Sequence, residues 1–380
     1  MSDRIISRRE ALTVALAAVG TLVRPARAAE ILFGARQAGA GAGVGGSRLV
    51  IQNARPLDAE APIEALRTFE TNNDLFFVRS HLPLPEIATP WTLTIDGEVA
   101  RPITLPLDEI RRMRAEHRSV TIECAGNGRS RFELPATSGV QWQFGAVSTA
   151  TWTGVPLATL LERAGVQTSA LHFWMEGADR APMAATPRFI RSLPRETALG
   201  EAFVAYEMNG QPLPLLHGGP LRLVVPRWYG MASTKWLTHV HAHATESDNH
   251  FMVRGYRYAD GSPVDLMRVK SLITAPREGE RVAGRTIRVT GVAWTGTGTV
   301  AHVEISSDGG RTWQPTRFTT DPRPGAWRLW EADLAIGSTG EQRVRVRAGD
   351  SAGHIQPERT PPNPGGYGNN SIHEVRFSAS

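Results

Sequence analysis

The C-terminal third of the sequence limits the possible folds more than any other feature, because it has strand patterns and almost no helical spacing. From Val269 onward, runs such as SLITAP, AHVEIS, WRLWEADL and EQRVRVRAGD recur, and the segments between them are rich in glycine, proline and aspartate. Short strands at regular spacing with turn signals between them are typical of a β-sandwich. The sequence therefore predicts an all-β domain over residues 269–380.

Residues 61–268 have a different pattern, in which short strands and helices alternate. WTLTID, with a turn at Asp96-Gly97 and a second apolar run after it, predicts a hairpin. LPLDEIRRMRAEH is expected to begin a helix, and PLATLLERAGV has helical spacing with a glycine stop at Gly165. These mixed elements predict an α+β domain, followed by the β-sandwich.

The first 28 residues have the parts of an export signal. Arg8 and Arg9 form a twin-arginine pair, ALTVALAAVGTLV is a short apolar run, and small residues precede a predicted cleavage after Ala28. We therefore expect export of the folded protein to the periplasm by the twin-arginine route. The glycine- and alanine-rich residues 29–60 are interpreted as a flexible lead-in. No other segment is long and apolar enough for a membrane span, so the mature form is expected to have none.

The charge of the chain argues against a nucleic-acid partner. The formal net charge is +5, but residues 1–28 hold five arginines against Asp3 and Glu10, which leaves +2 for the remainder. That remainder has no block of lysine and arginine and no stripe of basic and aromatic residues. A nucleic-acid-binding protein needs such a concentrated positive surface.

The sequence TIECAGNGRS contains Cys124, the only cysteine of the chain. A single cysteine in an exported protein cannot form an internal disulfide, so it is buried and inert, pairs with another chain, or has a chemical role. A thiolate is a soft ligand for redox metals, and the neighbouring Arg129 and Arg131 would favour the thiolate. These observations leave the structural and the chemical interpretation open.

Three segments together resemble the sulfite oxidase family of molybdenum enzymes. They are an Arg-x-His-Leu-Pro segment at residues 79–83, a Cys-Ala-Gly-Asn loop at residues 124–127 and a Tyr-Glu-Met-Asn-Gly segment at residues 206–210. The similarity covers about residues 65–378, and the terminal domain resembles the immunoglobulin-like dimerisation domain of that family. Each segment alone is a weak signal, but the three in this order are specific.

The resemblance implies a molybdenum–molybdopterin cofactor with Cys124 as the one protein ligand to the metal and with Gly126 and Gly128 leaving clearance for it. It also implies a substrate pocket formed by Arg79, Arg129 and Tyr256, for which Tyr258 is a rival candidate. The residues expected to hold the pterin and its phosphate are Phe77, Val78, Arg79, Ser80, His81, Asp179, His217, Arg222, Ser233, Thr234 and Lys235. Arginine and lysine suit the phosphate because they donate charge-assisted hydrogen bonds.

Two positions depart from the vertebrate members of this family. Gly255 stands where they have an aspartate before the tyrosine, and Gly365 stands where they have a further pocket arginine. Arg254 is a candidate to replace the missing charge. His239, His241 and His243 alternate and share one strand face, which we interpret as an ordinary polar face rather than a second metal site.

The resemblance implies an enzyme that oxidises sulfite to sulfate and passes the electrons to an external c-type cytochrome. The chain has no Cys-x-x-Cys-His motif and no cytochrome b5-like segment, so no haem is expected within it. A homodimer through the terminal domain is implied as well. The alternatives are the molybdenum subunit of a sulfane dehydrogenase, a molybdenum-dependent sulfoxide reductase, and a cofactor-free binding protein that kept both domains.

Overall fold

The computed structural model describes residues 48–132 and 137–380. The predicted signal peptide and the lead-in up to residue 47 lie outside the described residues. No helix of the described segments is long and apolar enough to cross a membrane.

The described part before residue 269 is built from short strands with four short helices between them. The strands are β1 (Val50–Ala54), β2 (Leu57–Glu60), β3 (Thr92–Gly97), β4 (Ile103–Pro106), β5 (Glu116–Glu123), β6 (Val147–Pro156), β7 (His172–Gly177), β8 (Ile190–Pro194), β9 (Phe203–Met208), β10 (Gln211–Pro212), β11 (Arg222–Val224) and β12 (Leu237–His243). The helices are α1 (Leu107–Arg111), α2 (Leu157–Ala164), α3 (Arg195–Gly200) and α4 (His250–Val253).

Most of these strands form two five-stranded sheets. One has the order β10-β9-β6-β5, with β11 also paired to β9, and the other has the order β4-β3-β12-β7-β8. The β3–β12 pair is parallel, whereas the other pairs in these two sheets are antiparallel. Apolar side chains of both sheets and of α2 share one buried core, which includes Leu93, Leu160, Phe173, Leu223 and Val240. Burial of this core is the main stabilisation of this part of the chain.

The predicted β-sandwich is confirmed. Its strands are β13 (Lys270–Ala275), β14 (Arg281–Val282), β15 (Thr286–Trp294), β16 (Val300–Ser306), β17 (Gln314–Pro315), β18 (Arg317–Phe318), β19 (Arg328–Ala335), β20 (Gly340–Asp350) and β21 (His373–Ala379). They form two sheets of order β13-β15-β19-β18 and β14-β21-β20-β16-β17. Val289, Ile305, Trp330, Val346 and Phe377 belong to the core cluster of the sandwich, as the alternation along each strand requires.

One of the two predicted helices differs from the structure. The helix expected from LPLDEIRRMRAEH is only the five-residue α1, because Glu116 and His117 already pair with Gly154 and Thr153 of the neighbouring strand. Strand pairing overrides helix propensity here. Helix α2 is as predicted and ends at Gly165, whose φ of +70° suits glycine at that position.

Residues 50–60, which the sequence placed in the flexible lead-in, form the antiparallel hairpin of β1 and β2. The hairpin is fixed by buried carboxylates on β2. Glu60 is 3% exposed and accepts hydrogen bonds from the backbone N–H groups of Gln143 and Gly145. Asp58 is 1% exposed and pairs with Arg79. A buried carboxylate is stable only when it accepts hydrogen bonds or pairs with a cation. Detaching the hairpin would therefore break these contacts and leave their donors without acceptors.

A buried polar network joins the loop after β5 to the sandwich. The carboxylate of Glu123 accepts hydrogen bonds from Lys270 Nζ at 3.1 Å, Asn127 Nδ2 at 3.0 Å and Trp294 Nε1 at 2.9 Å. Glu123 and Lys270 are both 2% exposed. The network therefore fixes the backbone immediately before Cys124 to β13 and β15.

Candidate cofactor and substrate site

A cleft with roughly 710 Å³ of space free of atoms, part of it open to solvent, lies where several loops of the first domain meet. Its walls come from the segment after the 3-10 turn at Asn73–Leu75, the loop after β5, the residues after β7 and the connection between β11 and β12. The predicted site residues that line it are Phe77, Arg79, Ser80, His81, Cys124, Asp179, His217, Arg222, Ser233, Thr234, Lys235 and Tyr256. Segments far apart in the sequence thus converge on one cleft.

Cys124 lies at the end of β5, where its backbone N–H donates to the carbonyl of Ala146 at 2.8 Å. Burial raises the pKa of its thiol, and the charges of Arg79 and Arg129 oppose that rise. The side chain is a free thiol on the cleft wall. It is thus placed to bind a soft metal, which would itself favour the thiolate.

The glycines after Cys124 do not have the role that the sequence suggested. A Cβ on Gly126 would lie 2.5 to 2.7 Å from the guanidinium atoms of Arg129. Gly128 has a φ of +87° and faces Asn369. The nearest neighbours of both positions are thus side chains of this chain. Gly126 makes room for Arg129, a requirement that the sequence alone did not reveal.

Two buried basic side chains, Arg222 and Lys235, form part of the cleft wall. Arg222 is 6% exposed and donates from Nη1 to the carbonyl of His217 at 2.7 Å, while its Nε has no partner. Lys235 Nζ donates to Ser80 Oγ at 2.7 Å and to the Leu216 carbonyl at 3.2 Å. Burial lowers the pKa of Arg222 to about 9 and that of Lys235 to about 7. Thr234 Oγ1 is also buried without a partner.

Within the described residues, neither Arg222 nor Lys235 has a carboxylate within 4.0 Å. A buried cation without a counter-ion is costly, and a bound anion removes that cost. Asp179 also lines the cleft, and burial raises the pKa of its carboxyl. The pocket is therefore suited to a ligand with an anionic end and with amino groups that a carboxylate can accept from.

Arg79 is held by a partner that the sequence interpretation missed. Its Nη1 lies 3.0 Å from Asp58 Oδ1, and the Asp58 carboxylate also accepts from the backbone N–H of Ser80 at 3.2 Å. Asp58 lies on the hairpin that had been placed in the lead-in, so no signal in the sequence pointed to it. The pair orients the guanidinium at the cleft wall and offsets its charge.

Tyr256 and Tyr258 lie in different environments. Tyr256 lines the cleft, is 8% exposed, and its hydroxyl is 2.7 Å from His81 Nε2. Burial raises the pKa of Tyr256, so the phenol stays protonated. Tyr258 instead packs under the guanidinium of Arg268, 4.5 Å from its ring centroid. The geometry favours Tyr256 over its rival.

Arg129 does not line the cleft with Cys124. Its Nη1 donates to the Val140 carbonyl at 2.8 Å and its Nε to the Gly365 carbonyl at 3.1 Å. The guanidinium carbon lies 5.5 Å from the ring centroid of Tyr367. Arg129 is therefore one layer behind the wall, where its charge still reaches the thiol of Cys124. Val78, the remaining predicted contact, is buried and bonded through its backbone to Ala59.

The space next to Gly365 is filled by Tyr367. A Cβ on Gly365 would lie 2.1 Å from Cε2 of that ring, so no larger residue fits without moving it. Tyr367 stacks on Tyr256 with 5.2 Å between ring centroids. Arg254, the expected replacement for the missing arginine, is exposed. Tyr367 is a second residue that the sequence interpretation missed.

The three alternating histidines lie on one face of β12, as predicted. His239 Nε2 and His241 Nδ1 lie 2.8 Å and 2.6 Å from the same oxygen of Asp96, and these hydrogen bonds lower the pKa of that carboxyl. The three ligand atoms lie within 4.8 Å of one another. His243 stacks on Trp174. Hydrogen bonding on a half-exposed strand face accounts for this arrangement.

Comparison with known families gives two matches that together cover most of the described chain. Residues 81–251 match the family described as the oxidoreductase molybdopterin binding domain. Residues 261–380 match the family described as the Mo-co oxidoreductase dimerisation domain.

Curated relatives and a solved structure are similar over most of this chain. Mitochondrial sulfite oxidase from Homo sapiens is 34% identical over 87% of this chain and 66% of its own length. Sulfite oxidase from Gallus gallus is 35% identical over 83% of this chain and 74% of its own. The crystal structure of the sulfane dehydrogenase SoxCD from Paracoccus pantotrophus has a TM-score of 0.74 and 28% identity, and covers 84% of this chain and 83% of that chain. The chain thus spans just under two thirds of the human relative.

Proposed function

Because the chain belongs to the sulfite oxidase family of molybdopterin oxidoreductases, we propose that it is a periplasmic sulfite dehydrogenase. It oxidises sulfite to sulfate and passes the electrons to an external c-type cytochrome. The observation that carries the proposal is the arrangement of the cleft. Its only thiol, Cys124, lines the same cleft as the buried basic side chains of Arg222 and Lys235 and as Arg79, His81 and Tyr256.

The cofactor of this family is molybdenum–molybdopterin, and the cleft fits it. Arg222 Nε and Thr234 Oγ1 are buried donors without partners, and Lys235 has no carboxylate within 4.0 Å in the described chain. These groups would hold the phosphate, Asp179 would accept from the pterin amino groups, and Cys124 would bind the metal. When bound, the cofactor supplies the two-electron oxidation and the oxygen transfer that convert sulfite to sulfate.

The substrate is bound and oriented by Arg79, His81 and Tyr256, which line the same cleft as Cys124. Arg79, fixed by Asp58, presents donors that suit a sulfur oxyanion. Burial and the charges of Arg79 and Lys235 hold the pKa of His81 well below its usual value, so the imidazole is neutral. In the tautomer that is protonated on Nε2, His81 donates to the Tyr256 oxygen and leaves the phenol proton free for the substrate.

Molybdenum content and sulfite-dependent reduction of cytochrome c by the purified protein test the proposal. We expect one molybdenum per chain and reduction that depends on both sulfite and the metal. A protein without molybdenum, expressed in a host that supplies the cofactor, would contradict any function of this class. A molybdenum-loaded protein that leaves free sulfite unoxidised would contradict the sulfite assignment.

Oxidation of bound sulfur is a second candidate function, favoured by the similarity to a sulfane dehydrogenase over more than four fifths of both chains. The cytochrome experiment separates the two functions. If the substrate is bound sulfur rather than sulfite, free sulfite alone would not drive the reduction.

The terminal sandwich is proposed to mediate homodimer formation, since residues 261–380 match a dimerisation family. The twin-arginine pair at Arg8 and Arg9 supports periplasmic export of the folded, cofactor-loaded protein.

Replacing Tyr256 with phenylalanine is expected to lower kcat for sulfite by roughly 10- to 100-fold. The reason is that its hydroxyl is the one phenol on the described cleft wall. Tyr258→Phe is the matched control, because that ring packs on Arg268 outside the cleft. Steady-state kinetics of both variants give the comparison. No loss in Tyr256→Phe would show that this tyrosine acts only in packing, and equal losses in the two variants would show that its hydroxyl has no role specific to the cleft.

A further inference from the structure

Arg191 is a buried arginine that neither the sequence motifs nor the site described so far makes use of. It lies on β8 opposite Met175 of β7 and is 3% exposed. One of its Nη atoms donates to the carbonyl of Phe251, and its Nε has no partner. In the described chain no carboxylate lies within 4.0 Å of it. Glu246 is the carboxylate whose charge raises the pKa of Arg191, but it is itself paired with Arg257 at 3.1 Å.

The guanidinium lies against the wall of the substrate side of the cleft. Its central carbon is 5.1 Å from the ring centroid of Tyr256, the same ring that stacks on Tyr367 and binds His81 through its hydroxyl. The charge of Arg191 also helps to lower the pKa of His81. The positive charge of Arg191 therefore influences the cleft through its contact with the ring of Tyr256.

The other positive charges in and behind this wall already have hydrogen-bond or ion-pair partners. Arg79 is neutralised by Asp58, and Arg129 directs two of its nitrogens to backbone carbonyls. Burial lowers the pKa of Arg191 to about 10, so the side chain is still charged at neutral pH. A buried, unpaired guanidinium is costly to maintain, and a bound anion would offset that cost.

We propose that Arg191 is a positioning residue for the anionic substrate, a fixed positive charge that acts through Tyr256 and fills the role left open at Gly365. The inference rests on the proposed function, since it takes a sulfur oxyanion as the substrate. Tyr367 occupies the space beside Gly365, so the additional charge comes from β8 instead.

The test compares Arg191→Met, which removes the charge, with Arg191→Lys, which keeps it, in the molybdenum-loaded protein. Arg254→Met is the matched control, because it removes one charge from an exposed position close to Tyr256 in the sequence. We expect Arg191→Met to raise the KM for sulfite by about tenfold or more, with kcat changed by less than about threefold. Arg191→Lys should recover most of the affinity, and Arg254→Met should resemble the wild type.

Calorimetric binding of sulfate, the product anion, gives a readout that does not depend on turnover. We expect Arg191→Met to weaken sulfate binding by a factor similar to the rise in KM. Unchanged KM and sulfate affinity in a folded Arg191→Met would overturn the proposal, and so would a lowered melting temperature with unchanged sulfate affinity. If Arg191→Met does not fold, weakened sulfate binding in Arg191→Lys relative to Arg254→Met carries the proposal, and wild-type affinity overturns it. Failure of the wild type to oxidise sulfite would count against the proposed function instead, and sulfate binding would still decide the role of Arg191.

Discussion

Serine in place of Cys124 is expected to reduce sulfite oxidation by at least roughly a thousandfold while leaving a folded protein. Cys124 is the only cysteine in the chain and the only sulfur ligand that could bind a metal from the wall formed by β5 and its loop. Serine has nearly the same shape, but its hydroxyl is a hard donor that stays protonated and does not replace a thiolate. No disulfide is lost, because the thiol is free.

Three measurements separate the loss of the ligand from the loss of the fold. Molybdenum content, sulfite-dependent cytochrome reduction and the melting temperature are compared for wild type, Cys124→Ser and Ser130→Ala. Ser130 belongs to the same loop and donates to the Trp142 carbonyl at 2.9 Å, so its removal disturbs the loop but keeps the thiol. We expect Ser130→Ala to keep most of its activity. More than a tenth of wild-type activity in Cys124→Ser would show that the thiol does not bind the metal.

The period of the apolar residues was enough to predict the fold class. In β20, Val344, Val346 and Ala348 alternate with charged residues and are all buried, as a sandwich strand requires. The hairpin of β1 and β2 could not be predicted in the same way. Its sequence, VIQNARPLDAE, carries polar residues that are typical of a surface segment, and Asp58 and Glu60 are buried only because distant donors reach them.

The candidate site was likewise predictable only in part from the sequence. The motifs predicted Cys124, Arg79 and Tyr256 for one site, and all three line the same cleft. The contacts that hold these side chains in place could not be predicted, since each joins residues far apart in the chain. Asp58 meets Arg79, Arg129 meets the Gly365 carbonyl, and Tyr367 stacks on Tyr256. These distances cannot be read from the sequence. Arg129 was therefore expected in the cleft, whereas the structure places it behind the cleft wall.

Replacing Lys270 with methionine is expected to lower the free energy of unfolding by about 3 to 5 kcal/mol. The change leaves the Glu123 carboxylate buried without its counter-ion, with only Asn127 and Trp294 to donate to it. A lone buried charge costs more than the packing of methionine can return. Because Glu123 precedes Cys124, we also expect a lower molybdenum content in the variant.

Urea unfolding of the cofactor-free and cofactor-loaded proteins measures the effect, with two further variants as controls. Arg288→Met removes an exposed arginine whose acidic partners lie at 3.7 and 3.8 Å, and it should change the stability by less than about 1 kcal/mol. In Glu123→Leu/Lys270→Met both charges are removed, so part of the lost stability should return, although Trp294 and Asn127 then lack an acceptor. A Lys270→Met protein within about 1 kcal/mol of the wild type would show that Glu123 is neutral in the folded state or reached by water. In that case the ion pair would not be what fixes the Cys124 loop to the sandwich.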